Sequence, residues 1–175
     1  MNIFLVGMMG AGKTTFGRRL SRALERPFRD TDELLVAESG ANIQSWFEER
    51  GEAAFRAYES AMLENTIQTF EGVVATGGGL PAWNNNMDRM LDSGIPVYLA
   101  ATPEILFQRL KRSRSHRPSI RHLDDEGLRV FIQNRLQERV PVYERAPIHV
   151  SSHRLKDAAT VQHVSERITR IEMGD

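Results

Sequence analysis

The segment IFLVGMMGAGKTTFGRRL, residues 3–20, passes from an apolar run into a loop that has three glycines within six residues. With Lys13 and Thr14 these glycines match the pattern G-x-x-x-x-G-K-[ST]. The apolar run is typical of a buried strand, and residues 14–24 repeat apolar side chains with helical spacing. A loop in this position can turn backbone N–H groups into one concavity beside a helix N-terminus. It therefore predicts a site for the phosphates of a nucleoside triphosphate, rather than a glycine-rich turn beside a surface lysine.

The composition of all 175 residues is that of a soluble globular domain, with 41% hydrophobic and 26% charged residues. Basic and acidic residues number 23 each, so no net charge draws the chain to nucleic acid or to an anionic membrane. The absence of cysteine excludes disulfides, thiolate nucleophiles and cysteine-bound zinc, and it agrees with a cytoplasmic location. No apolar stretch approaches the roughly 20 residues that span a bilayer, and the pattern of a signal peptide is absent.

Strand-like and helix-like segments alternate along the chain, which favours a parallel sheet covered on both faces. The predicted strands lie in residues 3–6, 26–35, 72–80, 94–102 and 146–152. The predicted helices cover residues 14–24, 43–70 with a break at Gly51, a segment from Pro103, 128–140 and the last twenty residues, with a polar loop at 111–127. In such sheets ligands bind beyond the carboxyl ends of the strands. The glycine loop, two aspartates and three successive glycines are all predicted at such ends.

The second predicted strand ends in Asp30 and Asp32, which either alternate across an extended segment or flank the first turn of the next helix. In one interpretation they serve phosphoryl transfer, one by orienting water on Mg²⁺ and the other by accepting a proton from the attacking hydroxyl. In the other interpretation one of them caps the next helix. Their predicted position beside the phosphate loop favours the first.

Two further groups are predicted near that edge of the sheet. Arg56 and Glu59 share one helical face, either as a solvated ion pair of little weight or as part of a carboxylate grip by arginine. The glycines at 77–79 form either a simple strand-exit turn or a backbone surface open to a ligand. One glycine would suffice for the turn alone.

A basic stretch lies in an otherwise neutral chain and contains Arg109, Lys111, Arg112, Arg114, Arg117 and Arg121. It can be interpreted as a nucleic-acid patch, as a mobile lid whose arginine closes over the phosphates, or as a solvated face. The stretch has no aromatic residues on which bases could stack, which disfavours the first. The phosphate loop supplies a partner for the second.

Together these motifs resemble the shikimate kinase family. The matching segments are GMMGAGKTT (7–15), DTD (30–32), GEAAFRAYE (51–59), ATGGG (75–79), RP (117–118) and ERVPVY (138–143). The resemblance implies an α/β fold in three layers, with a five-stranded parallel sheet in the order 2-3-1-4-5. It implies one domain, residues 1–175, with substrate-binding helices at about 31–60 and a mobile lid at about 110–123.

The resemblance also implies ATP-dependent phosphorylation of the 3-hydroxyl of shikimate, in the biosynthesis of aromatic amino acids. On the nucleotide side it implies that ATP is bound by Gly10, Ala11, Gly12, Lys13, Thr14, Thr15, Arg109 and Arg117. Arg109 would stack on adenine and Arg117 would be the lid arginine. Thr14 would bind Mg²⁺ directly and Asp30 through water. Lys13, Asp32 and Arg117 would be the catalytic residues.

On the substrate side the resemblance implies that shikimate is bound by Asp32, Arg56, Gly77, Gly78, Gly79 and Arg139. Asp32 would hold its hydroxyls and act as base, while Arg56 and Arg139 would clamp its carboxylate. Glu59 would steady Arg56. Shikimate and ATP are thus the expected partners, with neither nucleic acid nor membrane, and the expected state is a monomer.

The chain departs from the family pattern in a few places. RPSI (117–120) stands where the lid more often has RPLL, VVAT carries no magnesium aspartate, and residues 144–175 match weakly, so no adenine contact is predicted there. A kinase for another polyol acid, such as gluconate, is the closest rival. A GTPase-type switch would need the guanine-reading pattern N-K-x-D, which the chain lacks.

Overall fold

The computed structural model describes residues 1–40, 43–117 and 119–174. Its sheet has five strands: β1 (Asn2–Val6), β2 (Phe28–Asp30), β3 (Val73–Ala75), β4 (Gly94–Ala100) and β5 (Ile148–Ser151). All the pairings are parallel, in the order β2-β3-β1-β4-β5. The predicted sheet and its strand order are therefore confirmed.

Helices cover both faces of the sheet. They are α1 (Lys13–Ala23), α2 (Thr31–Ser39), α3 (Ile43–Thr69), α4 (Asn86–Ser93), α5 (Pro103–Ser113), α6 (Asp125–Tyr143) and α7 (Ala158–Met173). Within the described ranges, none is long and apolar enough to cross a membrane. The sequence did not predict α4, whose one buried face carries Met87 and Met90.

The prediction of a loop over 111–127 was wrong at both ends. Helix α5 continues to Ser113 and is followed by a short 3-10 helix at Arg114–His116. Helix α6 begins at Asp125, because the Asp124 side chain accepts a hydrogen bond from the backbone N–H of Gly127 at 2.7 Å. The polar residues that suggested a loop include the capping residue of a helix.

Strand β1 is the centre of the sheet, paired with β3 on one side and β4 on the other. Its two faces enter different hydrophobic clusters. Ile3 and Leu5 pack with residues of α1, α5, α6 and α7, whereas Phe4 and Val6 pack with residues of α3, α4 and the end of α6. A strand buried on both faces reads as a continuous apolar run, as the sequence does here. Because the glycine loop follows β1, it lies at the centre of the edge formed by the carboxyl ends of the strands.

Helices α2 and α3 pack on each other beside this edge. Leu35 of α2 is buried against Phe55 and Met62 of α3. The predicted break at Gly51 is confirmed, since its φ of 78° and ψ of 167° are not helical. Residues 41 and 42 of the predicted substrate-binding helices lie outside the described residues, and the substrate role of this pair remains a prediction.

Candidate active site

A cavity of about 640 Å³ opens at the carboxyl edge of the sheet. It is lined by Met9, Gly10, Gly12, Lys13, Thr14, Thr15, Asp30, Asp32, Thr76, Gly78, Arg109, Ser113, Arg117, Ser152, His153, Leu155 and Lys156. The structure thus brings the glycine loop, both aspartates and part of the triple glycine to one place. Among the described residues, Ala11, Arg56, Gly77, Gly79 and Arg139 are predicted site residues that lie outside this lining.

The phosphate loop is closed by Gly12, which precedes α1 in a left-handed conformation with φ 104°. A side chain at this position would be strained by that φ, and its Cβ would lie 2.6 Å from Leu155. Lys13 is buried and donates to the carbonyls of Gly7 (2.8 Å) and Met8 (3.0 Å). Burial lowers the pKa of Lys13 to about 8, against the opposing effect of Asp32 and Asp30. An anionic ligand would favour its charged form.

The two carboxylate oxygens of Asp30 make different contacts. Its Oδ1 accepts from the backbone N–H groups of Asp32 (3.0 Å) and Glu33 (3.5 Å) and so caps α2. Its Oδ2 accepts from the Thr14 hydroxyl at 2.7 Å. The cap therefore occupies one oxygen and leaves the other facing the phosphate loop.

Asp32 lies in the first turn of α2, so of the two predicted positions the helical one is confirmed. Its side chain is exposed to the cavity, yet protein atoms crowd the carboxyl. This burial raises the pKa of Asp32, and the negative charge of Asp30 adds to the effect, while Lys13, Arg117 and Arg56 oppose it. A carboxylate whose pKa is raised is better suited to accept a proton.

The solvated form of the Arg56–Glu59 pair is excluded by its burial. The Arg56 NH1 to Glu59 Oε2 distance is 2.6 Å, and the two side chains are 12% and 4% exposed. Burial raises the pKa of Glu59 to about 7, although the Arg56 charge and hydrogen bond lower it. Glu52 also lies near this guanidinium, 3.5 Å from its NH2.

Two of the three glycines after β3 lie against charged side chains, and Gly78 lies against the backbone of the phosphate loop, 3.1 Å from Met9 N at the position of a Cβ. A Cβ at Gly77 would lie 2.7 Å from Glu59 Oε1 and 2.9 Å from Asp32 Oδ1. One at Gly79 would lie 2.5 Å from Arg56 NH1. These separations are too short for any real Cβ, so a simple strand-exit turn does not explain the segment. The glycines let Asp32, Glu59 and Arg56 approach the backbone.

Arg139 extends the cluster from α6. It is 6% exposed, and its positive charge acts on Lys13, Glu59 and Tyr143. The Tyr143 hydroxyl donates to the carbonyl of Gly78, and burial raises its pKa to about 12. The end of α6 is thereby tied to the glycine segment, with the Arg139 charge placed on the Arg56 side of the site.

The basic stretch divides among several partners. Lys111 and Arg114 both form ion pairs with Asp125, and Arg114 NH1 lies 3.0 Å from its Oδ1. Arg117 lines the cavity, and its Nε donates to the Ser113 hydroxyl at 3.1 Å. Pro118, which completes the RP segment, lies outside the described residues. Arg117 therefore lies in the same cavity as the phosphate loop, while its role over the phosphates and closure of the predicted lid remain predictions.

Arg109 is held at the edge of its guanidinium by four acceptors. NH1 donates to the carbonyls of Gly10 (3.1 Å) and Ala11 (3.0 Å) and to the Ser152 hydroxyl (2.7 Å), and NH2 donates to the Ser152 carbonyl (2.9 Å). These contacts use the edge of the planar group and leave stacking of its face on adenine as a prediction.

Sequence reasoning missed the segment after β5, which supplies one wall of the cavity. The wall residues are Ser152, His153, Leu155 and Lys156. Their position was available from the rule that ligands lie beyond the carboxyl ends of parallel strands. The three predicted clusters lie at the ends of β1, β2 and β3, and none was predicted at the end of β5.

A parallel sheet in this order, with a glycine-lysine-threonine loop leaving its central strand, defines a P-loop kinase. The shikimate kinase family model matches residues 9–169, and the chain belongs to that family. It is 39% identical over 160 residues to shikimate kinase of Phocaeicola vulgatus, which covers 91% of each chain.

Solved structures agree in fold over nearly the whole chain. Shikimate kinase from Bacteroides thetaiotaomicron superposes with a TM-score of 0.88 at 35% identity, covering 99% of this chain and 98% of the other. Shikimate kinase from Acinetobacter baumannii, in complex with shikimate, gives a TM-score of 0.82 at 32% identity, covering 99% and 93%. A gluconokinase from Sinorhizobium meliloti has a TM-score of 0.58 at 19% identity, covering 97% and 92%, which shows a shared fold alone.

Proposed function

We propose that this chain transfers the γ-phosphoryl group of ATP to the 3-hydroxyl of shikimate, giving shikimate 3-phosphate and ADP. The observation that carries the proposal is the position of Asp32. Its carboxyl faces the cavity that holds the phosphate loop, and it lies within reach of the Arg56–Glu59 cluster at the triple glycine. Membership of the family and the shikimate complex of the Acinetobacter relative support this substrate.

On the nucleotide side, the backbone N–H groups of Gly10–Thr15 would bind the phosphates at the start of α1. Lys13 would exchange its bonds to two loop carbonyls for bonds to the outer phosphates, since a triphosphate offers it a stronger, charged acceptor. Arg117 would neutralise charge that spreads over the transferred group. Ordinary loop contacts thus give way to charged ones when ATP enters.

On the acceptor side, Arg56 and Arg139 would bind the shikimate carboxylate, with Glu59 holding Arg56 in place. Asp32 would orient the 3-hydroxyl in line with the γ-phosphorus. As the hydroxyl oxygen bonds to phosphorus, its proton passes to the Asp32 carboxylate. The bond from the γ-phosphorus to the bridging oxygen breaks, and ADP leaves with that oxygen.

The residues present fit a magnesium ion. Mg²⁺ takes oxygen ligands, keeps several waters and needs only one or two protein groups beside the phosphates. The Thr14 hydroxyl and an Asp30 carboxylate oxygen, 2.7 Å apart beside the phosphate loop, are such a pair. Thr14 would bind the ion directly and Asp30 through water. When bound, the ion would neutralise charge on the phosphates.

The proposal is tested by a coupled ADP-release assay on purified protein with ATP, Mg²⁺ and shikimate. We expect shikimate-dependent turnover, and Asp32→Asn should lower kcat by roughly 10²- to 10⁴-fold, the usual contribution of a general base, while ADP binding persists. Turnover with gluconate or a nucleoside monophosphate but none with shikimate would overturn the assignment. ATP against GTP in the same assay tests the nucleotide.

We also propose that the active species is a monomer, because every residue assigned to the site comes from one chain. Light scattering during size-exclusion chromatography, run at the concentration of the activity assay, measures this directly. A dimer with full activity and no active monomer on dilution would contradict it.

A further inference from the structure

Ser152 is buried at the junction between the phosphate loop and the segment after β5. It is 1% exposed and follows β5 directly, and its backbone N–H donates to the Ala100 carbonyl at 2.7 Å. Its hydroxyl donates to the Ala11 carbonyl at 2.7 Å and accepts from Arg109 NH1 at 2.7 Å. Arg109 NH1 itself donates to the same Ala11 carbonyl at 3.0 Å. Ser152, Arg109 and Ala11 therefore form a closed triangle of hydrogen bonds.

This triangle controls the direction of the peptide group between Ala11 and Gly12, and Gly12 lines the cavity. In a planar trans peptide the C=O and the N–H point in opposite directions. The Ala11 carbonyl and the Gly12 N–H belong to one such group, so two donors on the carbonyl fix the direction of the N–H. The Ala11 N–H is held as well, by the Met8 carbonyl at 3.0 Å.

Arg19 and Arg109 hold the backbone of the segment after β5, so Ser152 lies on a rigid support. Arg19 of α1 donates to the Leu155 carbonyl at 3.2 Å, and the Leu155 side chain covers Gly12. Arg109 holds the Ser152 carbonyl at 2.9 Å. A hydrogen-bonding group on a fixed support can orient its partner, whereas one on a loose loop would follow it.

We propose that Ser152 is a positioning residue for phosphoryl transfer: with Arg109 it holds the Ala11 carbonyl and thereby aims the Gly12 N–H at the phosphates of the nucleotide. The inference rests on the proposed function for the identity of that ligand. It assigns Ser152 to the phosphates rather than to the nucleobase, although the residue lies on the cavity wall.

The experiment compares two ligands, inorganic tripolyphosphate with Mg²⁺, which has no base, and ADP, by calorimetry. Ser152→Ala should weaken both by the same factor, roughly three- to tenfold for one lost buried hydrogen bond, and should lower kcat while leaving the shikimate KM unchanged. Ser152→Thr, which keeps the hydroxyl, should restore tripolyphosphate binding. Ser151→Ala, at the exposed neighbour, should match the wild type.

Two outcomes would overturn the proposal. Weaker ADP binding with unchanged tripolyphosphate binding would assign Ser152 to the base. A parallel rise in the shikimate KM would indicate general damage to the structure. If the alanine variant does not fold, Ser152→Cys keeps the volume with a weak donor and supports the same comparison. Absence of shikimate turnover by the wild type would defeat the proposed function, and tripolyphosphate binding would still decide the role of Ser152.

Discussion

The charge of Glu59 depends strongly on its surroundings. Its pKa rises from 4.5 to about 7 through burial, despite its ion pair with Arg56. The folded protein therefore binds more protons than the unfolded chain between pH 4.5 and pH 7. Stability contributed by this group is present below pH 4.5 and is lost as the pH rises to 7, by about 3 kcal/mol for a shift of this size.

Glu59→Gln should remove that titration. We expect the free energy of unfolding of the variant to fall less steeply from pH 4.5 to pH 7 than that of the wild type, measured by urea unfolding at each pH. Glu52→Gln is the matched control, because Glu52 is 57% exposed and lies near the same guanidinium. An unchanged slope in Glu59→Gln would show that Glu59 does not titrate in this range.

Asp30 caps helix α2 and also contacts the Thr14 hydroxyl. Asp30→Asn keeps a side-chain oxygen for the cap but removes the charge beside Thr14. We expect stability within about 1 kcal/mol of the wild type and a higher Mg²⁺ requirement for turnover, whereas Asp30→Ala should also lose about 1 kcal/mol with the cap. Urea unfolding and a Mg²⁺ titration of ADP release measure the two effects. Equal Mg²⁺ requirements in Asp30→Asn and the wild type would argue against Asp30 as a metal-site residue.

At the scale of elements, the glycine segment after β3 determines where α3 can place Arg56. Gly79 has φ −89°, which alanine adopts without strain, so Gly79→Ala acts through the contact of its Cβ with the guanidinium. We expect the shikimate KM to rise at least tenfold with little change in the ATP KM, measured by steady-state kinetics. The ATP KM is the internal control, and an equal rise in both would place the damage in the sheet.

Elements with a strong local pattern were predictable from the sequence, and those that depend on distant contacts were not. The apolar run of β1 and the kink at Gly51 carry their own local cause. Helix α6 was predicted three residues too short at its start, because the Asp124 cap is one side chain in a polar stretch. The reason for Gly77 and Gly79 lies in side chains from α2 and α3, and that for Gly78 in the backbone of the loop after β1, which no local pattern contains.

The candidate site was likewise predictable only in part. The sequence predicted which charged residues converge, because the carboxyl ends of parallel strands share an edge. It did not predict that the Arg56–Glu59 pair is buried, since burial depends on how α3 packs. The Ser152 triangle was also missed, because it joins residues 141 positions apart through a backbone carbonyl.

At the scale of the whole molecule, the proposed shikimate site gathers side chains from α2, α3 and α6 around the glycine segment. A ligand bound across several elements stabilises the folded state as a unit, by about 2.7 kcal/mol at 100 times its Kd. For a chain of this size that corresponds to a rise in Tm of roughly 5–10 °C. Shikimate should give this shift in a thermal unfolding scan of the wild type.

Arg139→Ala should abolish the shikimate shift at that concentration and keep the shift given by ADP, because Arg139 is proposed to bind the shikimate carboxylate. Arg135→Ala is the matched control one turn earlier on α6, where Arg135 is paired with Glu138 at 2.9 Å and partly exposed. Gluconate should leave the Tm of all three proteins unchanged. A larger shift with gluconate than with shikimate would transfer the site to another polyol acid, and loss of the ADP shift in Arg139→Ala would show that Arg139 supports the fold of both sites.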